Sequence, residues 1–247
     1  MGDITHFSSY YKSLSYVSPI PLANLKLWLK ADAGITKDGS NYVSQWDDMS
    51  GNGNHAVQST GGSQPLWVDN QLNGKPVLRF DGIDDFMNSA ISNVSNITIF
   101  CVVKSALTSA WVGGFSLYNT GSPLDYDINM GISIIGHASQ NGKYWFTKDG
   151  ANYTYNNGSI TNYETIEIQS INNNTIATYY NGIGLQSYNI PAFFNINSYV
   201  IGARWVLSVI NYYMSCDFSE IILYDDTLSA AQRQQVEQYL RTKYNHY

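Results

Sequence analysis

The hexapeptide "LKLWLK" (25–30) places Leu25, Leu27 and Leu29 on one side of an extended chain and Lys26, Trp28 and Lys30 on the other. A period of two marks a half-buried strand, because successive side chains of a strand leave opposite faces. Short apolar runs of this kind recur as "KPVLRF" (75–80), "NITIFCVVK" (96–104), "WVGGFSLY" (111–118) and "KYWFTK" (143–148). "YETIEIQS" (163–170), "TIATYY" (175–180), "SYVIGAR" (198–204) and "FSEIILY" (218–224) complete the series. Gly, Asn and Asp clusters bound these runs. The cluster Asn172, Asn173 and Asn174 has the chemistry of a hairpin loop, since Asn tolerates left-handed backbone and bonds its own main chain. Many short strands between turns, with almost no helical periodicity, predict an all-β antiparallel sandwich of two sheets.

One segment departs from that pattern. In "LSAAQRQQVEQYLRTKY" (228–244), Ser229 and Gln232 have the spacing of a capping box, in which each side chain satisfies the other's backbone N–H. Val236, Tyr239, Leu240 and Tyr244 then share one helical face, and Arg241 and Lys243 lie where the C-terminal dipole favours cations. A short C-terminal helix closing the domain is expected. At the other end, residues 1–22 are rich in Ser and Tyr and finish in "SPIP", whose prolines favour extended chain. They read as an N-terminal arm with Phe7, Tyr10, Tyr11 and Tyr16 as partner-anchoring residues, followed by one domain over 23–247.

Composition narrows the function. Of 247 residues, 44% are apolar, enough for a sizeable core, while only 13% are charged, about half the usual share. Asn, Ser, Thr, Gly and the 20 Tyr must therefore cover much of the surface. A net charge of −6 lacks the positive field that nucleic-acid binding needs. Cys101 and Cys216 lie inside apolar runs and read as buried thiols rather than a bridge. No run approaches the 18 or so apolar residues of a membrane span, and the N-terminus lacks a signal-peptide core. The expectation is a soluble protein that leaves a cell, if at all, without a signal peptide, for example inside a released virus particle.

"GNGNHA" (51–56) fits the spacing G-x-G-x-x-A of dinucleotide-binding folds. That fingerprint requires an apolar strand before it and a helix after it. Here "SQWDDMS" precedes and "VQSTGGSQP" follows, so the glycines read as turn chemistry.

The order of "LKLWLKADAGI" (25–35), "VSQWDDMSGNGNHAVQ" (43–58), "NGKPVLRFDGIDDFM" (73–87), "TIFCVVK" (98–104), "YYNGIGLQS" (179–187), "YVIGAR" (199–204) and "FSEIILYDDTLSAAQRQQVEQYLRTKY" (218–244) resembles the concanavalin A-like jelly roll, in its laminin-G-like branch. The resemblance runs from about residue 24 to the C-terminus and has no counterpart for the arm. It implies a two-sheet jelly-roll sandwich of the kind found in phage and viral surface proteins, in secreted adhesins and in carbohydrate-binding appendages of enzymes. It does not choose among them.

Retaining glucanases of this class resemble one another in an E-x-D-x-x-E strand, which this chain lacks. Its four Glu are Glu164, Glu167, Glu220 and Glu237, and residues 164 and 167, three apart on a strand, face opposite sides. His6, His55, His137 and His246 complete no nucleophilic triad. No catalytic residue is assigned, and no cofactor is expected other than calcium, for which Asp125 and Asp127 share one face if extended; Asp84 and Asp85 lie near a turn. Sugars are held by aromatic faces and by amides and carboxylates. Tyr126, Trp145, Tyr153, Tyr155, Trp205, Tyr212 and Tyr213, beside Asn and Asp, are the glycan-binding set. The same aromatics also suit a core or an interface in a homo-oligomer.

The reading that accounts for most of these features is a non-enzymatic structural or decoration protein on a phage-like particle. Its arm would dock on other virion proteins, and its jelly roll would face outward toward host or environmental polysaccharide, with no nucleic-acid or membrane partner. A secreted carbohydrate-binding adhesin and a polysaccharide hydrolase are the alternatives.

Overall fold

The computed structural model describes residues 18–105, 111–125, 131–137, 143–148, 151–154, 162–189 and 194–247. The strands begin with β1 (Leu25–Lys30), β2 (Ile35–Lys37), β3 (Val43–Trp46), β4 (Ala56–Val57) and β5 (Leu66–Leu72). Next come β6 (Lys75–Asp81), β7 (Met87–Val94), β8 (Thr98–Ser105), β9 (Val112–Tyr118) and β10 (Gly131–His137). β11 (Lys143–Lys148), β12 (Ala151–Thr154), β13 (Glu164–Ile171), β14 (Thr175–Tyr180) and β15 (Ile183–Asn189) follow. β16 (Ile196–Ile201), β17 (Arg204–Val206), β18 (Val209–Asn211) and β19 (Ser215–Tyr224) precede the helix α1 (Ala230–Tyr244).

The first sheet has the order β15-β14-β13-β8-β19-β6-β5, and β1 pairs with the second half of β19, beyond the reach of β6. The second sheet has the order β12-β11-β10-β9-β16-β7-β4-β3-β2, and β17 and β18 form a separate hairpin. This is the antiparallel two-sheet sandwich that the strand pattern predicted, with the expected short C-terminal helix, and it agrees with the jelly roll that the resemblance implies.

Alternation sorts the side chains. Ile99, Cys101, Val103, Ile221 and Leu223 of the first sheet meet Phe115, Leu117, Ile132, Ile134, Tyr199 and Ile201 of the second in the main core. Their even-numbered neighbours on the first sheet, Phe100, Val102, Ile222 and Tyr224, point outward and are buried with Trp28, Val236, Leu240 and Tyr244 beneath α1. β8 is an unbroken apolar run because both of its faces are covered. Leu25 departs from the expected alternation: a register shift between Leu25 and Leu27 turns it to the helix side with Trp28. Ile20 also lies buried there, so the end of the segment read as an arm belongs to the folded domain.

The helix begins as expected. The Ser229 side chain accepts from the Gln232 backbone N–H, and the Gln232 side chain accepts from the Ser229 backbone N–H. Cys101 and Cys216 are free buried thiols, and burial pushes both up from the ordinary thiol range. The glycine-rich stretch after β3 is a loop pinned by Asp48. Its Oδ1 accepts from the N–H groups of Trp28 and Ser50, each at 2.9 Å, and its Oδ2 from Asn54 N–H at 3.1 Å. Gly51 and Gly53 take φ of 90° and 74° within it, which settles the dinucleotide match as turn chemistry.

Candidate functional site

The two outer faces of the sandwich differ. The helix covers that of the first sheet, whereas on the second sheet Tyr118, Val200 and Ala203 meet only a small cluster formed by Phe86, Trp205, Ile210 and Tyr213. The β17–β18 hairpin supplies Trp205 and Ile210. Trp205 stacks on Tyr118 with ring centroids 4.7 Å apart and planes 12° from parallel, and its indole N–H donates to the Ser122 carbonyl at 2.7 Å. Tyr213 lies tilted against Phe86 at 6.3 Å.

Beneath the hairpin lies an ion pair. Arg204 donates through Nε to Asp125 Oδ2 at 3.1 Å and through Nη2 to Asp125 Oδ1 at 2.8 Å. Asp125 has no exposed surface and Arg204 is 5% exposed. Backbone bonds from Asp125 N–H to the Trp205 carbonyl (2.9 Å) and from Ser208 N–H to the Pro123 carbonyl (3.1 Å) tie the 119–125 loop to the hairpin. The aliphatic stem of Arg204 passes over β9 at Gly113, where a Cβ would lie 2.2 Å from Arg204 Cγ and 2.7 Å from the Ala203 carbonyl oxygen. That close approach requires glycine. Arg204 Nη1 also donates to the Trp111 carbonyl at 3.2 Å, and Gly113 N–H donates to the Tyr212 carbonyl at 2.9 Å. These bonds tie the start of β9 to the backbone at the base of the hairpin.

Trp205, Tyr212 and Tyr213, from one stretch of sequence, thus share a patch with Asp125, which lies 79 positions before Arg204. Asp125 serves there as the counter-ion of Arg204, with both oxygens engaged, rather than as a ligand offered to calcium. Trp145 lies opposite Ile135 and Thr154 in the ladder, and Tyr153 opposite Phe146. Tyr126, Asp127 and Tyr155, and the anchoring residues Phe7, Tyr10, Tyr11 and Tyr16, lie outside the described residues. Sequence reading missed Trp111 and Tyr118. Tyr118 belongs to an apolar run that reads as core, and only the hairpin's return onto β9 brings it under Trp205.

The carboxylates are otherwise engaged. Glu220 is buried; its Oε1 accepts from the Trp28 indole at 2.5 Å and its Oε2 from Tyr244 at 2.7 Å and Lys243 at 2.9 Å. Glu164 accepts from the Tyr180 hydroxyl. Glu167 and Glu237 do come together, but around Arg233 in the buried seam between α1 and β13. Burial pushes Glu167 up to about 8, against the opposing pull of Arg233. Glu164 and Glu167 find partners on opposite sides of β13, as their spacing predicted. At the turn after β6, Asp81, Asp84 and Asp85 bring their oxygens within 4.8 Å of one another. The turn's own backbone accounts for that: Asp81 Oδ1 accepts from Ile83 N–H at 2.7 Å, and Asp85 Oδ2 from Asp81 N–H at 3.0 Å.

No family model matches this sequence, and no curated protein matches it. Solved structures do share the fold. Domain 4 of AbnA, an extracellular GH43 arabinanase from Geobacillus stearothermophilus determined with arabinotriose, matches with a TM-score of 0.59 at 15% identity, over 87% of this chain and 98% of that domain. The Trypanosoma rangeli sialidase with sialic acid matches at 0.61 and 13% identity, over 91% of this chain; the chain spans 34% of the sialidase. The binding domain of botulinum neurotoxin DC, in complex with rat synaptotagmin II, matches at 0.58 and 12% identity, over 89% of this chain and 52% of that one. At such identities the likeness is one of fold.

Proposed function

We propose that this chain is a non-catalytic carbohydrate-binding domain whose ligand lies on the hairpin side of the second sheet. The observation that carries this reading is the convergence of Trp205, Tyr212, Tyr213, Trp111 and Tyr118 around a hairpin pinned by a buried ion pair. Aromatic rings offer flat apolar faces to sugar C–H groups, and a pinned hairpin holds them without an ordering cost on binding. Engagement of each Glu in the helix seam or under Tyr180 supports binding over bond cleavage, which needs two carboxylates facing an open groove. The likeness to an arabinanase domain determined with arabinotriose is in keeping with this reading.

A glycan array probed with the full chain tests it. Retention on a subset of polysaccharides with no release of reducing ends is expected, and silence across the array or measurable hydrolysis would overturn it. The virion setting and the anchoring role of residues 1–22 rest on the composition of that segment. Deleting residues 1–20 should leave the domain folded and abolish incorporation into particles; normal incorporation refutes the anchor.

A further inference from the structure

Among the described residues, eleven non-glycine positions have positive φ. Seven are Asn: residues 24, 41, 70, 73, 172, 181 and 245. Asn is the natural choice there, because its short amide bonds local backbone and tolerates the left-handed region. The other four are Trp111 (φ 64°), Leu207 (55°), Ser208 (61°) and Tyr212 (55°), and all four belong to the hairpin patch. Elsewhere among the described residues the left-handed requirement is met by Asn or Gly, whereas here bulky Trp, Leu and Tyr meet it. Leu207 and Ser208 form the two-residue turn of the hairpin, where Asn-Gly is the favoured pair.

These positions keep surface open to solvent. Leu207 is 75% exposed, Val209 52%, Tyr212 44% and Trp111 36%. Strain of this kind persists where a function requires the side chain. From the Tyr212 end to the Leu207 tip the hairpin runs about 10 Å, at roughly 3.3 Å per residue. Among the described residues that form the patch, the charged side chains are Arg204 and Asp125, which neutralise each other beneath the surface. Asn211 and Ser208 stand exposed beside the apolar groups. Insertion into a lipid surface would strip both of water, whereas a polyhydroxyl ligand replaces that water with hydrogen bonds.

Resting on the carbohydrate-binding reading above, we infer that Trp111, Tyr212 and Leu207 form the contact surface for an uncharged polysaccharide, and that acidic glycans are not its ligands. Recognition of a carboxylate or sulfate would call for an accessible Arg or Lys fork, which the Asp125 pair removes.

The full chain and its variants should be run through native gels containing arabinan, a neutral β-glucan, polygalacturonate or polysialic acid. Wild type is expected to be retarded by a neutral polymer and not by the acidic ones. Trp111→Ala and Tyr212→Ala should each weaken the apparent affinity about tenfold, with unchanged far-ultraviolet circular dichroism, while Trp111→Phe and Tyr212→Phe keep most of it. Retardation that both alanine variants retain would overturn this surface and leave carbohydrate binding standing. Retardation by the acidic polymers alone would overturn the neutral class. No retardation in any gel, with or without co-sedimentation on phosphatidylcholine vesicles, would overturn both readings, and co-sedimentation would point to a lipid surface instead.

Discussion

The Asp125–Arg204 pair is the keystone of the hairpin patch, and replacing Asp125 with Asn measures how much depends on it. The carboxylate is fully buried, the guanidinium side chain is 6% exposed, and both bonds of the fork are formed, at 2.8 and 3.1 Å. An exposed pair of this kind contributes about 0–1 kcal/mol. Here the substitution strands a guanidinium between Gly113 and the 119–125 loop without a counter-ion, which costs about 3–5 kcal/mol. In a chain of this length that corresponds to a fall in Tm of about 6–20 °C. Removing both charges, as in Asp125→Leu with Arg204→Met, should restore much of the loss, because no uncompensated ion remains. Urea unfolding of wild type, both single variants and the double variant, followed by tryptophan fluorescence, closes the cycle with a coupling of about 2 kcal/mol or more. A cost below about 1 kcal/mol for Asp125→Asn, or a double variant as unstable as the sum of the singles, would show that water reaches the pair and that it does not hold the patch.

Three further outcomes are expected. Glu167 is raised by burial to about 8 from 4.5. Between those values only the unfolded chain sheds the proton, so its contribution to stability falls as pH rises through the window and levels off above it. Glu167→Gln should therefore raise Tm relative to wild type more at pH 8.5 than at pH 5; an equal gap at both would refute the shift. Ser229→Ala removes the helix cap and should cost about 1 kcal/mol by thermal unfolding, and no change would show that the capping box is idle. Gly113→Ala drives a Cβ against the Ala203 carbonyl, a backbone atom that cannot rotate away, so thermal unfolding should show a loss and gel retardation should weaken with it. Wild-type behaviour in both assays would disprove the close approach.

The strands and the helix were legible because their signals are local. The apolar run of β8, the Ser229–Gln232 box and the triple Asn before β14 each carry their meaning within a few residues. Leu25 was misplaced because a bulge changes phase without changing composition. The site was only half legible. "RWVLSVINYY" displayed its aromatics, yet nothing in sequence showed that Asp125, 79 positions before Arg204, would neutralise it, or that Tyr118 would lie beneath Trp205. Trp111 was passed over because it opens an apolar run and reads as the first residue of a strand. It is the left-handed backbone, invisible to periodicity, that turns it outward.

The two faces of the sandwich explain why function should gather on one of them. Sheets of this width present two outer surfaces, and an all-β domain must cover, charge or use each. The first sheet carries large apolar residues outward, Phe100, Val102, Ile222 and Tyr224, and the C-terminal helix covers them, secured by buried Glu220 beneath Trp28, Tyr244 and Lys243. The second sheet presents serines instead: Ser116 and Ser133 bond each other at 2.5 Å on the side away from Leu117 and Ile132. Both serines are buried, and Ser116 also bonds the Ala203 carbonyl just before the hairpin. The hairpin lies over Tyr118 and Val200, and Leu207 and Tyr212 keep exposed surface. Were these residues there for stability, Asn at Leu207 would serve better, as Asn does at seven of the other non-glycine left-handed positions among the described residues. Leu207→Asn should accordingly raise Tm by about 2–4 °C, for relief of about 1 kcal/mol of strain, while weakening retention on polysaccharide. Loss of stability on that substitution would mean that the leucine packs within the domain, and the argument from strain to function would fall.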